Sequence, residues 1–153
     1  MASLQYDQIY SNFLDKVTDF DIAAMGQSSA YSLMRGWLKN AMSKPHLRRC
    51  FKAVTYDDEN QIMEYEVSDR FSKKDELENE DFTIEAIALG MKVEWLEPQL
   101  NSRLINDQFV SSSKESKFYS QAQHMTSIRE SYSLAKKVQR DFIRDRGYFK
   151  GGN

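Results

Sequence analysis

The chain has 153 residues, of which 41% are hydrophobic and 29% charged, with a formal net charge of −2 at pH 7. This length fits one domain, and the apolar content is sufficient for a buried core, which excludes a globally disordered chain. No run of roughly 18 uncharged apolar residues is present, so the sequence predicts no transmembrane helix and no membrane partner. A basic region followed by an apolar run is missing near the start, and the single cysteine, Cys50, cannot form an internal disulfide. Both features predict synthesis in a reducing cytoplasm without a signal peptide.

Apolar residues spaced three and four apart predict two amphipathic helices in the first third of the chain. The first covers about residues 6–17. The second begins at a cap formed by Ser28 or Ser29, whose hydroxyl can accept a hydrogen bond from the first turn. It ends near residue 43 because Pro45 follows.

The middle of the chain is the least helical part. Residues 53–56 and 62–67 favour strands, and the polar residues 57–60 between them favour a turn, so a β-hairpin is predicted at about 53–67. Because an isolated hairpin is only marginally stable, it requires a neighbour to pack on. Residues 68–80 are charged and predict a mobile loop.

Two further helices are predicted in the second half of the chain. The third begins at Thr83 and is ended or kinked by Pro98, although residues 99–105 could resume as a helical turn. Residues 111–113 form a loop after it. The fourth is the longest, at about residues 117–146, and would be about 45 Å long at 1.5 Å per residue. A helix of that length exceeds what a small domain needs, so its far end is expected to leave the globule, with Gly147 stopping it.

These patterns together predict a mainly α protein. Its fold class would be a helical bundle of about four helices with a long C-terminal helix and a small β-hairpin insertion. Residues 1–146 form the single domain, and residues 147–153 form a flexible C-terminal tail.

The six glycines never cluster in the spacing of a phosphate-binding loop. Gly36 and Gly90 lie inside predicted helices, where glycine costs up to about 1 kcal/mol relative to alanine. Close approach of two helices is the simplest reason for both glycines.

Candidate catalytic and metal-binding residues are few, and each has a structural interpretation. Cys50 and His46 are four residues apart, but no acid that would orient the histidine is evident. Glu94 and Glu97 are interpreted as a solvated face, and His124 as a hydrogen-bonding or interface residue. Two histidines and one cysteine leave little material for a zinc site. The sequence therefore predicts a protein that is not an enzyme and has no catalytic residues, metal or cofactor.

Charge is distributed unevenly along the chain. Residues 57–81 carry 11 acidic and 3 basic side chains, whereas residues 134–153 carry 6 basic and 2 acidic ones. Such a molecule can associate head-to-side with copies of itself, although both segments also fit ordinary solvated faces. A second basic cluster consists of Lys44, Arg48, Arg49 and Lys52, and Phe51 is interleaved with its charges as in single-strand binders. The acidic pI of about 5.7 argues against a dedicated nucleic-acid binder.

The C-terminal segment combines aromatic and basic residues. Tyr148 and Phe149 follow Gly147 on an otherwise flexible basic tail. Aromatic and arginine side chains are common anchors of protein interfaces, so this tail predicts an interaction site. The alternative is a terminus that folds back on its own core.

Several stretches resemble one family of small proteins from long-tailed bacteriophages of Gram-positive bacteria. In chain order they are residues 6–10 (YDQIY), 37–41 (WLKNA), 91–99 (MKVEWLEPQ) and 118–124 (FYSQAQH). The resembling stretches follow each other in the same order in that family. The family is that of the head–tail connector, or adaptor, proteins, which are helical subunits forming a ring beneath the capsid portal and extending the DNA channel. The hairpin-like insert around residues 56–67 departs from the family, in which this region is a shorter charged linker.

The resemblance implies a structural virion protein located in the neck and made in the cytoplasm of the bacterial host. It implies a dodecameric ring of identical subunits, with the portal protein and the next neck or stopper protein as partners. Double-stranded DNA would pass through without sequence-specific contact. A head-closure (stopper) protein, a tail-completion protein and a phage-encoded DNA-binding or regulatory protein are the alternatives.

The resemblance also gives roles to particular residues. The portal-docking arm would be the end of the fourth helix with the tail, through Phe142, Arg144, Arg146, Tyr148, Phe149 and Lys150. Contact with the channel or the neighbouring subunit would involve Asp57, Asp58, Glu59, Arg48 and Arg49. Acidic side chains lining a channel would repel DNA and let it slide.

Overall fold

The structure is a computed structural model that describes residues 1–18, 20–110 and 115–150, with side chains for 1–18, 22–101 and 126–147. In chain order the elements are β1 (Ala2–Gln5), α1 (Tyr6–Lys16), α2 (Phe20–Ala24), α3 (Gln27–Ser43), α4 (Pro45–Arg48), β2 (Phe51–Asp57), β3 (Ile62–Val67), α5 (Glu76–Val110) and α6 (Glu115–Lys150). This order confirms a mainly helical protein with a small antiparallel β element. The described residues contain six helices rather than about four, because α2 and α4 are too short to give a periodic pattern.

The predicted hairpin is present as β2 and β3, and its neighbour is β1, at the start of the chain. The antiparallel sheet has the order β1-β3-β2, with Leu4 opposite Met63 and Val54 opposite Tyr65. Met63 and Tyr65 are buried while Glu64 between them is exposed, which is the alternation expected of a strand with one covered face. The third strand therefore supplies the pairing that an isolated hairpin lacks.

The main core lies between the buried face of the sheet and the helices α1, α3 and α5. Its largest side chains include Ile9 and Phe13 of α1, Met34 and Leu38 of α3, and Ile87 of α5, none more than 1% exposed. The predicted apolar stripes of the first two helices are thus confirmed as core-facing. The second helix begins at Gln27, with Gly26 rather than a serine at its N-cap.

The helices α5 and α6 run antiparallel along each other. Near one end the rings of Phe82 and Phe142 stack with centroids 5.7 Å apart. Further along, Val93 and Leu96 pack with Ala135 in a second buried cluster. All members of that cluster come from α5 and α6, so the two helices continue to pack on each other beyond the main core.

The predicted start of the third helix is wrong. The helix begins at Glu76, so residues 68–80 are a loop only up to residue 75. The hydroxyl of Thr83 donates to the carbonyl oxygen of Asn79 within the helix and caps nothing. Pro98 does not end the helix, which continues to Val110. Pro98 has no backbone N–H and therefore removes one hydrogen bond of the helix. Close to this missing bond, the side-chain amide of Gln99 donates to the carbonyl oxygen of Trp95.

The expectation that the end of the last helix leaves the globule is also wrong for the described residues. Ile143 is 1% exposed, and α6 continues through Gly147 to Lys150. A Cβ at position 147 would lie 3.1 Å from side-chain atoms of both Arg70 and Phe71, so close packing explains this glycine. The predicted loop at residues 111–113 and the last three tail residues lie outside the described residues.

Candidate functional site

A groove of about 790 Å³ opens between α1, the first half of α5 and the last turns of α6. Its floor is apolar because Ile84, Phe82 and Phe142 face it. Its walls carry five carboxylates and two cationic groups, namely Asp15, Glu78, Asp81, Glu85, Asp145, Lys73 and Arg146. The groove therefore combines an aromatic floor with an excess of negative charge.

Arg146 is held in place inside the groove. Its Nε donates to the carbonyl oxygen of Phe71 and its Nη2 to Oδ1 of Asn79, both at 2.8 Å. Its guanidinium lies 4.8 Å from the centroid of the Phe82 ring, in cation–π geometry. Partial burial lowers the pKa of this group from its ordinary value. Arg146 is thus a fixed part of the groove wall.

Some carboxylates of the groove are paired with a cationic side chain, and others have no such partner among the described residues. Glu85 forms an ion pair with Lys16 at 2.8 Å. Asp15 and Asp81 are exposed and form no ion pair with any other described residue. The amide oxygen of Asn12, also on the groove wall, is buried without a hydrogen-bond partner among the described residues. The groove is therefore suited to a cationic side chain with an apolar stem.

The predicted pair of Cys50 and His46 is structural in this fold. Cys50 is fully buried, its thiol points to the backbone carbonyl of His46 at 3.7 Å, and burial raises the pKa of the thiol to about 11. Nε2 of His46 donates to Oε1 of Gln139 at 3.0 Å. The imidazole is therefore bonded to α6 and does not act on the thiol.

The interpretation of Glu94 and Glu97 as a solvated face is wrong for Glu94. Glu94 is 7% exposed, with the ammonium of Lys44 at 3.7 Å from its carboxylate. Burial raises the pKa of Glu94, and the charge of Lys44 opposes this shift. The contact between Glu94 and Lys44 could not be predicted from the sequence pattern, because Lys44 comes from the distant segment between α3 and α4. The side chain of His124 lies outside the described residues.

The residues predicted to bind the portal separate into three groups. Phe142 and Arg146 make contacts within their own chain, through the ring of Phe82 and through the hydrogen bonds described above. Arg144 is exposed and pairs with Asp141 at 3.2 Å on the same helix. The side chains of Tyr148, Phe149 and Lys150 lie outside the described residues.

The acidic residues predicted to face the channel or a neighbour lie at the turn between β2 and β3. Asp58 accepts a hydrogen bond from the hydroxyl of Tyr6 at 2.7 Å and pairs with Lys39, and these contacts lower its pKa. Asp57 accepts hydrogen bonds from the backbone and side chain of Asn60, which lower its pKa. Glu59 is exposed. Of the three, Asp57 and Asp58 have structural contacts, and Glu59 faces solvent.

The basic cluster of the middle segment is largely engaged within the chain. Nη1 of Arg48 donates to the carbonyl oxygen of Phe51 at 2.7 Å, and Lys52 pairs with Asp69 at 2.8 Å. Arg49 is exposed. The predicted interleaving of charge and aromatic surface is absent here, because Phe51 is 4% exposed and belongs to the core.

The groove is not apparent from the sequence because it joins three distant segments of the chain. Asp15, Asp81 and Asp145 are each unremarkable surface residues in the sequence. A usable signal was the spacing of Glu78, Asp81 and Glu85 at three- and four-residue steps, which places them on one face of a helix. Recognising it required knowing that this segment is helical.

Comparison of the chain with models of known protein families, with characterised proteins and with solved structures gives no match. No helix among the described residues has a stretch long and apolar enough to cross a membrane. Within the described part of the chain, histidine, cysteine, aspartate and glutamate side chains do not gather in threes that would bind a metal ion.

Proposed function

We propose that the chain is a structural subunit of the head–tail connector of a long-tailed bacteriophage, acting in a ring beneath the portal. Sequence resemblance gives the proposal its starting point. The observation that carries it is the α5–α6 pair, whose packing continues beyond the main core in a cluster of its own. A long paired-helix element attached to a small body is suited to an assembly subunit, because it presents side surfaces to several neighbours.

The length of α5 supports this use. The helix has 35 residues, which corresponds to about 52 Å at 1.5 Å per residue. Leu96 is the last buried residue of α5 within its described side chains, and the helix runs on to Val110. In the proposal α1, α3, α5 and α6 form the four-helix body of the connector subunit. The β-hairpin is an insertion beside it.

The proposal divides the predicted portal-binding residues by their environment. Phe142 and Arg146 hold α6 against α5, so in the proposal they position the end of the helix. Arg144 and the segment 148–150 make the portal contact. At the hairpin turn, Glu59 would face the channel or the neighbouring subunit, because Asp57 and Asp58 are bonded within the chain.

The test is mass photometry of the purified protein, alone and mixed with the portal protein encoded by the same genome. The expected result is a discrete increase of the portal mass by about twelve subunits, as a closed ring of matching symmetry requires. Unchanged portal mass at micromolar protein would contradict the proposal.

Arg144→Glu is expected to weaken the association at least tenfold. Lys74→Glu, the same change at an exposed residue before α5, is the matched control.

The same preparation tests the alternatives. A stopper protein would bind only a portal that already carries its adaptor ring. A regulatory protein would shift duplex DNA at moderate salt and lose this activity in the Arg48→Ala/Arg49→Ala variant. Arg48 is already bonded to the backbone of Phe51, which disfavours this second class.

A further inference from the structure

The helix α6 has chemically opposite sides along its described length. At about 100° per residue, Arg129, Lys137 and Arg140 project to one side of the helix. Phe142 and Asp145 project to the other side, and both line the acidic groove. The side between them faces α5, as the burial of Gln139 and its neighbours on that side indicates.

The first of these sides is strongly cationic, and we call Arg129, Lys137 and Arg140 the basic face. All three side chains are exposed, and none forms an ion pair with another described residue. Glu130 is the one carboxylate between residues 126 and 140. The basic face thus presents uncompensated charge on long side chains with apolar stems.

The groove has the complementary properties. Its carboxylates Asp15 and Asp81 have no cationic partner among the described residues, and its floor is aromatic. The groove already shows how it receives a guanidinium, because its own Arg146 stacks on Phe82. Val138 lies one turn before Phe142 on the same side of α6 and is 43% exposed.

We propose that the acidic groove of one copy of the chain receives the basic face of α6 from a second copy. The inference rests on the proposed function, because it names the contact between neighbouring subunits of the ring. Since groove and basic face lie on opposite sides of one helix, the contact is head-to-tail. Repetition of such a contact closes into a ring or continues as a filament. Charge complementarity is the observation that selects a second copy as the occupant.

The test is a charge exchange between the two surfaces. The groove variant is Asp15→Lys/Asp81→Lys, and the face variant is Lys137→Glu/Arg140→Glu. All four residues are exposed, so the substitutions bury no charge. Sedimentation velocity at low ionic strength is expected to show self-association of the wild type. Each variant alone is expected to associate at least tenfold more weakly, because like charges then oppose each other.

The decisive sample is the equimolar mixture of the two variants. The reversed groove then meets the reversed face, and the unaltered groove meets the unaltered face, so association is expected to return. Glu64→Lys/Glu66→Lys makes the same charge change at exposed residues of the hairpin and is expected to associate like the wild type. A wild type that stays monomeric, a mixture that stays monomeric, or loss of association in the hairpin variant overturns the proposal.

Cross-linking gives an independent measurement. A copy with Asp81→Cys and a copy with Arg140→Cys are expected to be joined by a short bifunctional thiol reagent when mixed. Neither copy is expected to cross-link with itself, because Cys50 is fully buried. Cross-links within either single variant, or none in the mixture, contradict the head-to-tail contact.

Portal binding separates the failure of this contact from failure of the proposed function. If the portal gains subunits of the wild type and of the groove variant equally while the mixture stays monomeric, the function stands and the contact is wrong. If the mixture associates and no portal binding occurs, the contact stands and the function is wrong. A third outcome is that the wild type is monomeric and the groove variant no longer binds the portal. The groove would then bind a basic segment of the portal, and the proposal that it binds a second copy of the chain would be overturned.

Discussion

Asp58 joins three elements through one carboxylate, since it lies at the hairpin turn and bonds to Tyr6 of α1 and Lys39 of α3. These bonds hold its pKa in the folded state below the unfolded value of about 3.9. The stabilisation is therefore complete above that pH and is lost as the pH falls through the folded-state pKa. Asp58→Asn is expected to lower the free energy of unfolding more at pH 7 than at pH 2, measured by urea denaturation. The neighbouring Glu59→Gln is the control, and an equal loss at both pH values for Asp58→Asn would contradict the argument.

Gly90 is a second residue on which several contacts depend. A Cβ there would lie 2.6 Å from the side-chain amide nitrogen of Gln139 and 3.0 Å from the Cβ of Ala41. Gln139 cannot move aside freely, because it is 3% exposed and bonded to Ala86 and His46. Gly90→Ala is expected to destabilise the fold by about 1–3 kcal/mol through overpacking.

Gly36 provides the matched control for this prediction. It also lies inside a helix, but apart from its own helix backbone and chain neighbours no atom of the described residues is within 4 Å of the position that a Cβ would occupy. Gly36→Ala is therefore expected to stabilise the fold by about 0.5–1 kcal/mol in the same denaturation experiment. If both substitutions had the same sign, the packing explanation for Gly90 would be wrong.

These two glycines also mark the limit of residue-level prediction. From the sequence, close approach of two helices is predicted at both positions. The structure confirms this for Gly90 and contradicts it for Gly36. The apolar pattern indicates that a residue is in a helix and which face is buried. It does not indicate whether another helix passes close to the backbone at that position. The burial of Glu94 was missed for the same reason.

At the scale of elements, the end of α6 is fixed by Arg146. Its guanidinium reaches the carbonyl of Phe71 and the side chain of Asn79, so it ties α6 to the segment before α5 and to the first turn of α5. Arg146→Lys keeps the charge but loses the fork of donors. We expect a loss of about 1–3 kcal/mol in unfolding free energy, together with faster amide exchange in the last turns of α6.

Arg144 is the control for that experiment, because it is exposed and two residues away on the same helix. Arg144→Lys is expected to change the unfolding free energy by less than about 0.5 kcal/mol. Unchanged amide exchange near Ile143 in the Arg146→Lys variant would show that α6 is held by its apolar contacts alone.

Elements with a regular apolar stripe could be predicted, and those without one could not. The stripes of α1 and α3 and the alternation in β3 gave the correct type of element. Residues 76–80 are rich in charge, so the sequence predicts a loop where the structure has the first turn of α5. Strand β1 was missed because four residues are too few to show alternation. Its pairing partner, β3, is some sixty residues away.

At the scale of the whole molecule, Cys50 reports on global unfolding. It is the single thiol of the chain, fully buried, with its pKa raised to about 11. Reaction with a thiol reagent at pH 8 is expected to be slow in the native protein, because the thiolate is the reactive form. The rate is expected to rise with urea in parallel with the unfolded fraction followed by circular dichroism. Rapid labelling without denaturant would reveal local opening around α4 and β2.

The groove is a feature of the whole molecule that could not be predicted from the sequence. The sequence predicts one acidic surface from residues 57–81, yet Asp58 lies at a turn and bonds to α1 and α3. Asp81 lies instead in the groove beside Asp15 and residues of α6. Charge along the sequence therefore predicted that a polar surface exists, but its composition depended on how α5 and α6 are arranged.

The contribution of α6 to the core has a consequence for synthesis in the cell. Ile143 and Gln139 fill space between elements that the ribosome has made much earlier. Until α6 has left the ribosome, the nascent chain holds an open apolar surface on α5 and on the end of α3. Chains terminated early would keep that surface and be exposed to proteases and chaperones. Chains translated through α6 are therefore expected to persist longer in the cell than chains that end before it.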